Sequence, residues 1–180
     1  MVANAERMVY LNGMFVPEKE ARISIYDSAL MFGDMVFEMT RSFNGKQFLL
    51  RLHLERLYRG IKMLRIPIKV TMAEMESLVY KTMEMNQPSF LSTDEHRMLI
   101  NVSRGPLSIY KMVFDGKLEP TVVIADFPVK WTLAALAHFL TMAFTPSLLT
   151  SERFPRSSSS PRSRTVAGCI TCSRTCKSLS

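Results

Sequence analysis

The chain has no run of about 18 apolar residues, the length that a membrane-spanning helix requires, so no spanning helix is expected. Its first residues, MVANAERMVYLNG, lack the basic region followed by an apolar stretch that marks a secretory signal. The cytoplasm is therefore the expected compartment, with no membrane partner. Cysteine is scarce and late: Cys169, Cys172 and Cys176 form C-x-x-C-x-x-x-C. Such spacing can ligate zinc or an iron–sulfur cluster, but three thiolates with no fourth ligand and no fold around them do not make a site. The metal expectation is none. Acid is nearly absent from the end of the chain, where Glu152 is the only acidic residue after Asp126. Residues 1–140 carry 17 Lys and Arg against 15 Asp and Glu, whereas residues 141–180 carry 6 against 1. The net charge of +7 thus belongs mostly to the C-terminal segment and does not make the rest a nucleic-acid binder. No aromatic follows Phe154, so that segment offers no base-stacking platform either.

What is present supports one folded domain. The 180 residues are 47% apolar, enough for a core, and 14 methionines make an adaptable interior. Asn12-Gly13 and Asn44-Gly45 are hairpin signals, since both residues of each pair tolerate positive φ. The first lies within Met8 to Val16. The second separates the alternating stretch that opens at Gly33, with Met35, Phe37 and Met39 set against Val36, Glu38 and Thr40, from a return strand Gln47 to Leu50. Ala21 to Ile25 also alternates as a short strand, and Tyr26-Asp27-Ser28 turns the chain. From Arg51 the period becomes helical: Leu54, Leu57, Tyr58, Ile61 and Leu64 form one apolar stripe that Pro67 stops. His53, Arg56, Arg59 and Lys62 lie off it. Thr71 and Glu74 form a capping box for a second helix with Met75, Leu78, Val79 and Thr82 inward. Met98 to Val102 and Pro120 to Ala125 are further strands, joined by the long loop Ser103 to Lys117. The expected fold is α+β, a hairpin-rich sheet with two helices, over residues 1–127.

FGDMVFE (Phe32 to Glu38), NGK (Asn44 to Lys46) and HLERL (His53 to Leu57), in this spacing, resemble the class IV aminotransferases, the fold-type IV pyridoxal-phosphate enzymes. These include branched-chain aminotransferase, D-amino-acid aminotransferase and aminodeoxychorismate lyase. The resemblance implies pyridoxal 5'-phosphate as cofactor, an amino acid and a 2-oxo acid as small-molecule partners, and a homodimer. It places the cofactor phosphate on Arg56, the arginine of H-x-x-R-L. A guanidinium suits that role, being always charged and able to bond a phosphate through two N–H groups. The plain alternative is a solvated basic residue on an exposed helix face. By the same resemblance Phe32 and Phe37 line an apolar substrate pocket, and Arg97, Arg104 and Arg41 are candidate carboxylate contacts. Arg104-Gly105 is followed by PLSIYKM, without the further arginine of the D-amino-acid enzymes and the lyase. That departure leaves a branched-chain-type or unclassified transaminase ahead.

In the family a second domain follows, bringing the lysine that forms the Schiff base, a tyrosine, and an acid for the pyridine nitrogen. Here DFPVKW (Asp126 to Trp131) reads as an interdomain link, and residues 128–140 as the link plus the start of a truncated second domain. After Leu136 apolar periodicity stops. Residues 141–180 hold ten serines, with a run from Ser157 to Ser160, and read as a disordered, aberrant tail. A shifted reading frame explains it: with plausible codons, Ser157 to Cys172 displaced by one base becomes LLEPKIKNRSRMHYL, similar to the family's lysine segment. As written, no lysine lies between Lys130 and Lys177. Two readings follow. One is a class IV transaminase; the other is a non-catalytic remnant of one, inactive for want of its lysine.

Overall fold

In the computed structural model, residues 6–143 are described, with side chains described through residue 137. Two Asn-Gly pairs set the first reversals of the chain. Strands β1 (Met8–Leu11) and β2 (Met14–Pro17) pair around Asn12 and Gly13, at φ 49° and 97°. Strands β3 (Met35–Phe43) and β4 (Lys46–Gln47) pair around Asn44 and Gly45, at φ 49° and 71°. Positive φ at both central residues matches the twist of the flanking strands, so these tips form where the sequence places them. The long strands β5 (His96–Ser103) and β6 (Thr121–Pro128) complete a six-stranded sheet of order β2-β1-β6-β5-β3-β4, antiparallel at every pairing.

Helices cover one face. Helix α1 (Ser28–Phe32) is a short turn before β3, while α2 (Leu50–Leu64) and α3 (Met72–Asn86) carry the core. Leu50, Leu54, Leu57 and Ile61 of α2 join Met75 and Val79 of α3, all buried, with Leu54, Met75 and Val79 at 0% exposure. They meet Tyr10, Met98, Ile100, Val102, Val122 and Ile124 from the sheet. Burying side chains of this size stabilises by roughly 1.5–3 kcal/mol each. Thr71 and Glu74 form the reciprocal capping box expected of them. The α+β class with a hairpin-rich sheet is thus what the chain adopts.

Several local expectations are corrected. Ala21 to Ile25 forms no strand, because its alternation finds no edge to pair with. The return strand expected over Gln47 to Leu50 stops at Gln47, since Leu49 turns left-handed at φ 50° and Leu50 enters α2. Helix α1 is an addition: Asp27 caps it, and Gly33 at φ 68° ends it before β3. DFPVKW is not an extended link. Asp126, Phe127 and Pro128 pair with Met98, Arg97 and His96, and helix α4 (Val129–Ala143) follows directly. The tail expected over residues 141–180, its cysteines and its lysine-like segment lie outside the described residues beyond Ala143.

The turn that positions the top of the sheet is held by Asp27, 1% exposed. Its carboxylate accepts from the Ala29 amide at 2.8 Å, Ser103 Oγ at 2.7 Å and Thr121 Oγ1 at 2.6 Å. Gly105 donates to Ser103 Oγ and receives the Ser28 amide. It sits at φ 76°, and a Cβ there would lie 2.0 Å from the Glu119 carbonyl oxygen. Gly105→Ala is therefore expected to lower stability by about 3 kcal/mol, from left-handed strain plus the clash, read as a lower urea midpoint.

Candidate functional site

The pleat puts Val36, Glu38 and Thr40 on the side of β3 that faces the helices, while Met35, Phe37 and Met39 face away. A charge on the core side needs partners. Glu38, 3% exposed, finds them on α2, where His53 and Arg56 are three residues apart and share a face. Arg56 grips the carboxylate with two nitrogens: Nε donates to Oε1, and Nη2 donates to Oε2 at 2.6 Å. His53 Nδ1 lies 2.9 Å from the same Oε2. Arg56 Nη1 has no hydrogen bond among the described residues, and the side chain is 70% exposed. With Leu49, Leu52, His53, Glu55 and Arg59 it lines an open hollow of about 320 Å³.

The electrostatics follow from this pairing. The Arg56 hydrogen bonds hold the Glu38 carboxyl below its ordinary value of 4.5, against burial, which pushes it up, and with His53 adding to the lowering. The same carboxylate raises Arg56.

A second hollow, about 260 Å³, adjoins at His53, which lines both. Arg41 and Arg97, directly opposite one another on β3 and β5, line it with Met39, Phe48, Leu133 and Leu136. The Arg41 guanidinium lies 4.1 Å over the Phe43 ring, and Arg97 Nε points to Met39 Sδ. Neither has an ion-pair partner among the described residues. Arg104 differs. Its Nε bonds Asp34 at 2.6 Å, Nη2 the Leu64 carbonyl at 2.6 Å and Nη1 the Arg65 carbonyl at 3.1 Å. Its two Nη nitrogens close the end of α2, while Nε ties it to Asp34 ahead of β3. Phe32 and Phe37 are 64% and 62% exposed and line neither hollow. The structure thus joins Arg56 to Glu38 and His53, brings Arg41 to Arg97, and sets Arg104 and the two phenylalanines apart from both. Glu38 escaped the sequence reading. Its signal was there, as the one acid on the core parity of β3.

The family described as Amino-transferase class IV matches residues 35–171, more than half of the chain. The chain belongs to the class IV aminotransferases. The class is pyridoxal-phosphate dependent. A Methanocaldococcus jannaschii protein, provisionally named a branched-chain-amino-acid aminotransferase, is 45% identical over 78 residues, covering 43% of this chain and 27% of that protein. The D-alanine aminotransferase of Staphylococcus aureus (strain N315) is 35% identical over 115 residues, covering 64% and 39%. The chain therefore spans well under half the length of these relatives. A hypothetical aminotransferase of Mycobacterium tuberculosis, solved in its PLP-bound form, shares the fold with TM-score 0.56 at 24% identity, covering 68% of this chain and 39% of that one.

The Glu38 pairing makes stability pH-dependent. Its folded value is depressed, so its stabilisation is present above the unfolded value near 4.5 and is lost as pH falls through the folded value. Urea midpoints measured against pH should show a shallower acid limb for Glu38→Gln than for the wild type.

Proposed function

We propose that this chain carries the phosphate end of a pyridoxal-phosphate site in an aminotransferase that moves an amino group between an amino acid and a 2-oxo acid. One observation carries the reading: Arg56 is held on its Nε side by a buried carboxylate, while Nη1, beside an open hollow, has no partner among the described residues. That donor set suits a phosphate oxygen, which takes charge-assisted N–H bonds in a fixed direction. Bound there, the cofactor would supply the carbonyl and electron sink through which the amino group moves. The residues of this chain would hold and orient it. Arg41 and Arg97, neither of them in an ion pair among the described residues, line the adjoining hollow, where the acid group of a substrate would meet them. Phe32 and Phe37, exposed and outside both hollows, are left out of this reading of the pocket. The 45% identity to the Methanocaldococcus jannaschii protein favours a branched-chain substrate. Arg104, tied to Asp34 and the end of α2, serves the fold in this reading. A homodimer in the cytoplasm completes the proposal, with small molecules rather than nucleic acid or membrane as partners.

Neither Lys69 nor Lys130, the lysines held in ion pairs among the described residues, fits the amine that transamination needs. Such an amine must lose its proton near neutral pH, which takes desolvation or neighbouring cations. Lys130 is half exposed and bonded to Asp94 at 2.7 Å, and Lys69 is bonded at 2.8 Å to Glu119, whose carboxylate raises Lys69. We therefore read the 180 residues as written as a phosphate-holding, non-transaminating chain. The shifted reading frame is its proposed origin, and sequencing the nucleotides beyond the codon for Leu136 tests that.

Arg56→Ala should weaken pyridoxal phosphate binding roughly ten-fold or more, the scale of hydrogen bonds to a charged group, and Arg59→Ala should do little. Equal losses in a fluorescence titration would replace the site by diffuse attraction. Borohydride reduction with the cofactor present should leave no stoichiometric adduct on any one lysine by peptide mass mapping. Branched-chain amino acids with 2-oxoglutarate should give no turnover.

A further inference from the structure

We propose that Glu38 is a positioning residue: it locks Arg56 so that one edge of the guanidinium is presented outward for a phosphate. The inference rests on the reading of Arg56 as the phosphate contact and goes one step behind it. An arginine that is 70% exposed has several rotatable bonds and would ordinarily sample many directions. Here two of its nitrogens are held by the two oxygens of one carboxylate. That carboxylate is itself immobile, being 3% exposed and set in the middle of β3, between strand neighbours and α2. Oε2 receives Arg56 Nη2 and also faces His53 Nδ1 at 2.9 Å, so the carboxylate is braced from a second point on the same helix. The approach of helix to strand is equally fixed. Gly60, one turn beyond Arg56, lies against Val36, where a Cβ would come 2.9 Å from Val36 Cγ1. The same close approach of α2 to β3 goes with the direct contact between Glu38 and the guanidinium. A functional side chain gains from being held by a rigid neighbour, because less freedom is lost when the ligand binds.

A carboxylate beside an anion site also repels the anion, and this gives the test an opposite sign for the two roles. If Glu38 were only a nearby charge, Glu38→Gln would strengthen phosphate binding. If it positions Arg56, the same change weakens it. The full chain, titrated with inorganic phosphate and separately with pyridoxal phosphate and followed by amide chemical shifts, should bind about five-fold or more weakly as Glu38→Gln, the equivalent of roughly one lost hydrogen bond. In an Arg56→Ala background Glu38→Gln should weaken binding no further. Unchanged or tighter binding by Glu38→Gln, with Arg56→Ala still weakening it, overturns the positioning role and leaves the phosphate contact standing. Arg56→Ala without effect overturns the phosphate contact itself. Should Glu38→Gln fail to fold, arginine side-chain nitrogen-15 spectra of the wild type decide. A resolved, slowly exchanging Arg56 Nε–H with restricted rotation supports the lock, and a rapidly averaged signal overturns it.

Discussion

A buried carboxyl group needs polar partners, and three such groups arrange this fold. Asp27 gathers an amide and two hydroxyls, and in doing so ties the start of α1 to the adjoining ends of β5 and β6. Asp126 meets His96 at 2.7 Å within the sheet, and burial pushes its carboxyl up from its ordinary range. Glu38 is met by cationic and imidazole nitrogens from α2. The first two serve the scaffold alone. The third faces a helix whose outer edge is open, so its partner is also available to the outside.

The fold was legible where local chemistry and tertiary need agreed. Asn-Gly tips, the Thr71–Glu74 box and the stripe of Leu54, Leu57 and Ile61 are decided within a few residues, and they stand as read. Ala21 to Ile25 had the alternation of a strand but no neighbour, and pairing is not a local property. The helix Val129–Ala143 was hidden for a related reason: Asp126 to Pro128 resembles a linker by composition, yet it forms the last pairs with Met98 to His96. At the site, Arg56 was visible from its motif. Glu38 was not, because alternation shows two faces without saying which is inward. In β3 the more apolar set, Met35, Phe37 and Met39, turned out to face away from the helices. Arg104 shows the limit of reading a guanidinium from a loop motif, since such a group can as well close a helix end as meet a substrate.

Family membership and the physical reading meet at different depths. Membership establishes the kind of enzyme from which these elements come. The geometry adds a buried carboxylate that pairs with Arg56 beside one open hollow, and Arg41 and Arg97 side by side at the next. The proposed phosphate contact and the proposed lack of turnover rest on different residues, so each can be tested without the other.

The close seat of Gly60 on Val36 has a mechanical consequence. With a gap that cannot admit a methyl group, α2 acts as a lever pivoting on that point, with Arg56 one turn away on the arm. A larger residue at the fulcrum would lift the arm by a few tenths of an ångström. Hydrophobic contacts along Leu54 and Leu57 tolerate such a displacement gradually, but a two-point grip between guanidinium and carboxylate loses its alignment at once. Variation at a half-buried glycine outside the polar site would therefore be felt first at that site and only afterwards in the core.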